Sequence, residues 1–145
     1  MKMKMRPRIV RMAETVDTSS KGIITSDFDY YKFLLPWDMV NKVGFRWVDK
    51  IRVYQESVNS KVLYLSVNPL ANKELYEYSG EVFFQKRTGW ERSLDTHQIV
   101  DDVYTLLPKE FLLNWEHEQE VEYTYIHETG GEERHVEVKH PDYSS

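Results

Sequence analysis

One short pattern occurs twice in this chain, as Lys32-Phe33-Leu34-Leu35-Pro36 and as Tyr104-Thr105-Leu106-Leu107-Pro108. Each copy is followed by a stretch suited to a short helix and then by a β-hairpin pattern. Proline at a helix start fixes φ and gives up only an N–H that has no helical partner there, while glycine just past the end takes the left-handed conformation that stops the helix. Pro36 and Gly44 therefore bracket a predicted helix over 37–43. Pro108 opens a second over 109–113, with Asn114 as its left-handed terminator. Strand, Pro-started helix and hairpin make a unit of about 45 residues, too small to bury a core against an ordering cost of about 1–2 kcal/mol per residue. Two such units on one chain are expected to interleave their strands.

The chain divides accordingly. Residues 1–20 read as a basic arm in which Lys2, Lys4, Arg6, Arg8 and Arg11 precede any acid, with Ile9 and Val10 offering an edge strand. Residues 21–68 form the first unit, with short strands at 22–25 and 33–35 and a hairpin of 51–56 with 61–67. Residues 69–98 read as a linker with a short helix over 70–80, a strand at 81–85 and a loop over 86–96. Residues 99–145 form a degenerate, acidic second unit: an extended 99–107 and a hairpin of 121–128 with 133–139 around Thr129-Gly130-Gly131-Glu132. The expected class is a β-rich α+β protein.

Ten Tyr, six Phe and four Trp suit a β-rich core, and Trp37, Trp47, Trp90 and Trp115 are assigned to packing, Trp37 and Trp115 on repeat-related helices. The absence of cysteine removes disulfides, thiolate nucleophiles and cysteine-based zinc sites, so an intracellular, cytoplasmic setting is expected. No apolar run approaches the length needed to span a bilayer, and no signal peptide or membrane partner is expected. His97, His117, His127, His135 and His140 lack the helical i, i+4 spacing of a metalloprotease motif, and no phosphate loop or nucleophile elbow is present. Neither enzymatic activity, a metal nor a cofactor is expected.

Charge is unevenly distributed. Residues 1–60 hold 11 Lys and Arg against 7 Asp and Glu, whereas residues 61–145 hold 8 against 17. Glu116, Glu118, Glu120 and Glu122 alternate with other residues, and Asp101, Asp102, Glu132 and Glu133 add to the same half. Such a surface is suited to a basic partner, above all a nucleic-acid-binding protein.

The first unit resembles the swapped-hairpin AbrB-like family of transcription regulators, in which two copies exchange β-hairpins to make one barrel-like body. The resemblance rests on Gly22-Ile23-Ile24, Leu34-Leu35-Pro36, Val43-Gly44-Phe45, Asp49-Lys50-Ile51-Arg52-Val53-Tyr54 and Val62-Leu63-Tyr64-Leu65, spaced without a gap over 22–67, with a weaker second match over 99–139. It implies an intrachain pseudo-dimer and a DNA-facing surface of basic residues. Matched one by one, those positions hold Thr25, Ser26, Val40 and Asn41, and only Lys32 is basic. Losing phosphate contacts weakens duplex binding steeply.

The first expectation is therefore a regulator that binds protein, namely RNA polymerase, and occupies its nucleic-acid channel. Length, acidity and lack of cysteine are also similar to those of an RNA-polymerase inhibitor of an archaeal virus. The alternative is an AbrB-type DNA-binding repressor using the arm with Lys32, Lys42 and Arg46. A third reading is an antitoxin whose second unit clamps a toxin. Oligomeric state is left open between monomer and homodimer.

Overall fold

The computed structural model describes residues 14–57, 59–70, 75–86, 101–128 and 133–142. Nine strands form one antiparallel, nearly closed, barrel-like sheet. They are β1 (Glu14–Ile23), β2 (Thr25–Asp27), β3 (Tyr30–Leu35), β4 (Lys50–Gln55), β5 (Val62–Ser66), β6 (Tyr76–Lys86), β7 (Asp101–Pro108), β8 (Glu120–Glu128) and β9 (Arg134–Lys139), in the order β1-β8-β9-β5-β4-β6-β7-β3-β2. Alternate residues of the strands point inward, as the two-residue period of a strand requires. Phe33, Leu35, Ile51, Val53, Leu63, Leu65, Val103, Leu107, Tyr123, Val136 and Val138 meet in one core. A second cluster lies around Tyr54, Val62 and Tyr64, with Leu70 and Leu75 packed among them.

The helix α1 (Trp37–Val43) forms as expected. Pro36 enters it at φ −60°, and Gly44, at φ 93°, donates its N–H to the Val40 carbonyl. The second copy departs from the expectation: after Pro108 there is only a turn of 3-10 helix, Lys109–Phe111. Its extension is intercepted by the loop between β4 and β5. Asn59 Oδ1 accepts the Leu113 N–H at 2.8 Å and its carbonyl accepts the Asn114 side-chain amide at 2.8 Å, while Leu112 and Trp115 turn into the core. Asn114 is not left-handed; Asn59 and Glu118 are the non-glycine residues with positive φ among those described.

Two further expectations change. The helix over 70–80 is not formed where the chain is described, because 76–80 belong to β6 and pair with β4, Tyr78 opposite Val53. Of the presumed arm, residues 14–20 belong to β1, paired with β8 through a register shift between Val16 and Thr18. Residues 1–13, with Ile9 and Val10, lie outside the described residues. The loop over 87–96 and the turn at 129–132 do too.

The pairing registers repeat in the two halves. The Leu-Leu-Pro strands β3 and β7 pair with each other, and Phe33 faces Thr105, its own counterpart. The hairpins meet through β5 and β9, where Tyr64 faces Glu137. Each half also contributes a segment that changes partner along its length. The first half pairs with β8 up to Ile23 and with β3 from Thr25, while β6 pairs with β4 up to Glu81 and with β7 from there. At those corners the Ile24 N–H bonds the Gln119 carbonyl and the Val82 N–H bonds the Asp49 carbonyl, each at 2.9 Å.

A glycine occupies each corner because no side chain fits. A Cβ on Gly22 would come within 2.6 Å of the Tyr123 ring, and one on Gly80 within 2.6 Å of Leu107 and 2.7 Å of Thr105 Oγ1. Leu107 and Thr105 are fully buried and Thr105 Oγ1 is held by the Glu81 carbonyl, so neither yields easily. Gly80→Ala is expected to cost about 1–3 kcal/mol by overpacking. Urea denaturation checks this, and an unchanged midpoint would refute it.

Candidate interaction surfaces

Leu35 faces Val103 and Tyr30 faces Pro108 across the β3–β7 pair, so the segments that follow Leu35 and Pro108 leave at opposite ends of it. The uneven charge of the sequence thereby becomes partly spatial.

At one end α1 buries Met39 and Val40 and turns Lys42 outward. The Gly44 stop then feeds a 3-10 turn, Phe45–Trp47, in which Phe45 enters the core and Arg46 and Trp47 remain outside. Trp47 is 76% exposed and Trp37 36%. The Arg46 guanidinium lies 5.3 Å from the Trp37 ring centre and 5.5 Å from that of Trp47, within reach of both π-faces. Lys42 Nζ lies 5.1 Å over the Tyr125 ring and its carbonyl accepts Arg134 Nη1 at 3.4 Å. Arg46 thus sits between two exposed indoles, and Lys42 and Arg134, from two parts of the chain, meet on the same helix. Asp38 and Asp49 flank them in sequence.

At the other end Glu116 and Glu118 are exposed in the turn before β8, and Glu120 opens β8 opposite Ile23. His117 anchors this turn: its Nδ1 accepts the Ser26 N–H at 2.9 Å, and its Nε2 lies 3.8 Å from Glu118 Oε1. Lys109 Nζ donates to the Phe28 carbonyl at 2.8 Å.

The remaining candidates are dispersed. Glu122 is opposite Lys21 on one neighbouring strand and Lys139 on the other, a cross-strand arrangement that offsets its charge. Glu137, 3% exposed, pairs with Lys139 at 3.2 Å. Asp101 and Asp102 begin β7 near α1, opposite Lys86 and Gln85, and Glu133 precedes Arg134. Lys32 lies on the outer face of β3 with Nζ 4.3 Å over the Tyr104 ring. Asp101 and Asp102 therefore lie toward the opposite end from Glu116, Glu118 and Glu120. Lys2, Lys4, Arg6, Arg8, Arg11 and Glu132 lie outside the described residues.

Exposure separates the described tryptophans, all of which the sequence assigns to packing. Trp115 is core, 2% exposed, but Trp37 and Trp47 are not. The clue to Trp47 is its position in Phe45-Arg46-Trp47, directly after the helix-ending glycine, where one aromatic can turn in and the other out.

Beneath the acidic end His140 is 6% exposed, edge-on to Trp115 at 5.3 Å, with Nδ1 accepting the Asp142 N–H at 3.0 Å. Burial pushes its pKa below the ordinary value and Lys61 adds to this, while Asp142, Glu116 and a hydrogen bond with the Asn114 backbone oppose it. A lowered folded-state pKa means that the neutral ring's contribution is complete above the unfolded value of about 6.5 and is lost as pH falls through the folded value. The melting temperature is expected to fall more between pH 7.5 and 5.5 for the native chain than for His140→Gln. Parallel curves would exclude this role.

Among the described residues no three His, Asp or Glu side chains are arranged to hold a metal, and no helix is long and apolar enough to cross a membrane. Comparisons with protein-family models, curated proteins and solved structures find no match.

Proposed function

We propose that this chain is a transcription regulator acting through a protein contact, an inhibitor that occupies the nucleic-acid channel of RNA polymerase and blocks DNA or initiation-factor entry. The observation that carries the protein-contact reading is the exposed Trp37–Arg46–Trp47 group on the α1 end. Tryptophan and arginine dominate binding energy at protein interfaces, and an indole 76% exposed does little for the core. The acidic turn at the opposite end suits the basic lining of a nucleic-acid channel.

The proposed scaffold is two AbrB-like swapped-hairpin units joined as an intrachain pseudo-dimer. Its support is the exchange of partners: β4 of the first unit pairs with β6, the strand that leads into the second unit, and β8 of the second unit pairs with β1, the strand that leads into the first. The tips follow the same exchange, with Asn59 and Ser60 bonded to the segment after Pro108 and Arg134 bonded to α1.

A second reading, duplex DNA binding as an AbrB-type repressor, is favoured by the grouping of Lys42, Arg46 and Arg134 alone. Gel-shift and polymerase co-purification on one sample across a salt series separate the two. Polymerase recovery without a duplex shift is expected. Duplex binding that falls steeply with salt would overturn the protein-contact reading.

A further inference from the structure

The two halves differ at one corresponding place. In the second half the inward-facing Tyr78 of β6 packs at a tilt against Phe111, three residues past Pro108, with ring centres 4.4 Å apart, and Tyr76 lies 5.5 Å from the same ring. By register the counterpart of Tyr78 is Ser20, since Tyr78 faces Val53 where Ser20 faces Tyr123; the counterpart of Phe111 is Met39, three residues past Pro36. Replacing a ring by a hydroxymethyl group leaves space. Two pockets of about 200 and 180 Å³ lie here and share Ser20, Pro36 and Trp37.

Two more observations concern the same spot. Ser20 Oγ and the hydroxyl of Tyr123, a residue 1% exposed that lines the larger pocket, are buried without a hydrogen-bond partner. Such groups are costly to leave unsatisfied, and the Tyr78 hydroxyl of the other half is buried without a partner as well, so what points to an occupant is the space and the strand edge. β1 also ends the sheet order: it pairs with β8 on one side, and no described strand pairs along its other edge. A free strand edge presents alternating N–H and C=O groups whose natural complement is another extended chain.

We propose that the seam between β1 and β3 is a docking groove for an extended segment of another protein, whose aromatic side chain fills the space beside Ser20 while its backbone pairs along β1. The aromatic ring would take the place that Tyr78 fills in the other half, beside the buried Met39 that stands for Phe111, with Ile23, Leu34 and Trp37, all partly exposed, forming the rim. This inference goes beyond the transcription reading and holds for any partner with such a segment.

The test uses the full chain, isotopically labelled, titrated with the capped peptide acetyl-Thr-Val-Phe-Val-Thr-amide and its alanine-centred version. Amide shifts are expected at Ser20, Lys21 and Ile23 and at the Trp37 indole, with affinity for the alanine peptide at least about tenfold weaker, the loss of a ring from a filled pocket. Ser20→Tyr, which restores the ring of the other half, is expected to weaken phenylalanine-peptide binding by a similar factor. Should that variant not fold, Ser20→Val and Trp37→Ala carry the same comparison. Equal affinity for both peptides, shifts away from the seam, no shifts at millimolar peptide, or binding unaffected by the folded Ser20 variant would each overturn the proposal. Because neither polymerase nor DNA is present, these outcomes are separate from those of the transcription test.

Discussion

Trp115→Ala is expected to lower unfolding stability by about 3–5 kcal/mol, a large share of the 5–15 kcal/mol typical of a domain. Trp115 is 2% exposed and meets Phe33 edge-on at 5.8 Å and His140 at 5.3 Å. Its Nε1–H donates to the Ser60 carbonyl at 3.0 Å, and its carbonyl accepts the Tyr31 hydroxyl. Truncation therefore opens a cavity and strands an acceptor in the loop between β4 and β5. Trp115→Phe preserves much of the volume and loses the Ser60 bond, so a smaller cost of about 1–3 kcal/mol is expected. Urea unfolding with unchanged m-value measures both. A loss below about 1.5 kcal/mol for the alanine variant would show that Trp115 does not clamp the two halves together.

Partner binding should respond to the opposite kind of residue. Under the proposed function, Trp47→Ala and Arg46→Ala are each expected to weaken binding to polymerase about 30-fold or more, the effect of removing an interface hot spot worth about 2 kcal/mol. Stability should change by less than about 0.5 kcal/mol for Trp47→Ala, because the side chain is 76% exposed. The double variant should lose less than the two single losses combined, since Arg46 lies against both indoles and truncating either partner already breaks the shared contact. A DNA-binding chain would behave otherwise: Trp47→Ala would be nearly silent, and Arg46→Ala would reduce the salt slope of duplex binding by about one. Co-purification and gel-shift titrations of the same variants decide between these patterns.

The elements that were legible in sequence are those whose cause is local. Pro36 and Gly44 act on their own dihedral angles, and α1 begins and ends where they place it. The β8–β9 hairpin follows from alternation, with inward Val121, Tyr123 and Tyr125 on one strand and Val136 and Val138 on the other. The helix expected after Pro108 stops at a single 3-10 turn because Leu113 and Asn114 are bound from outside their own segment. The deciding groups belong to Asn59, far away in the chain. Tyr76 and Tyr78 could not reveal in sequence that β4 waits for them, so a short apolar segment read equally well as helix. The candidate surface was half legible. Arg46 was recognisable as basic, but the exposure of the two tryptophans around it depends on which side of a short turn faces the core.

By itself the sequence determined the repeat, the helix between Pro36 and Gly44, the hairpins and the separation of basic from acidic halves, because backbone preference and side-chain alternation act within a few residues. Only the tertiary structure decided that each hairpin pairs with the other half, that Phe33 faces its own counterpart Thr105, and that Lys42 and Arg46 come out at one end while Glu116, Glu118 and Glu120 come out at the other. It alone also decided that the space filled by Tyr78 in one half is left open beside Ser20 in the other. The physical reason is that pairing between distant strands is chosen by the burial and hydrogen bonding of the whole sheet at once, a collective balance that no single segment carries.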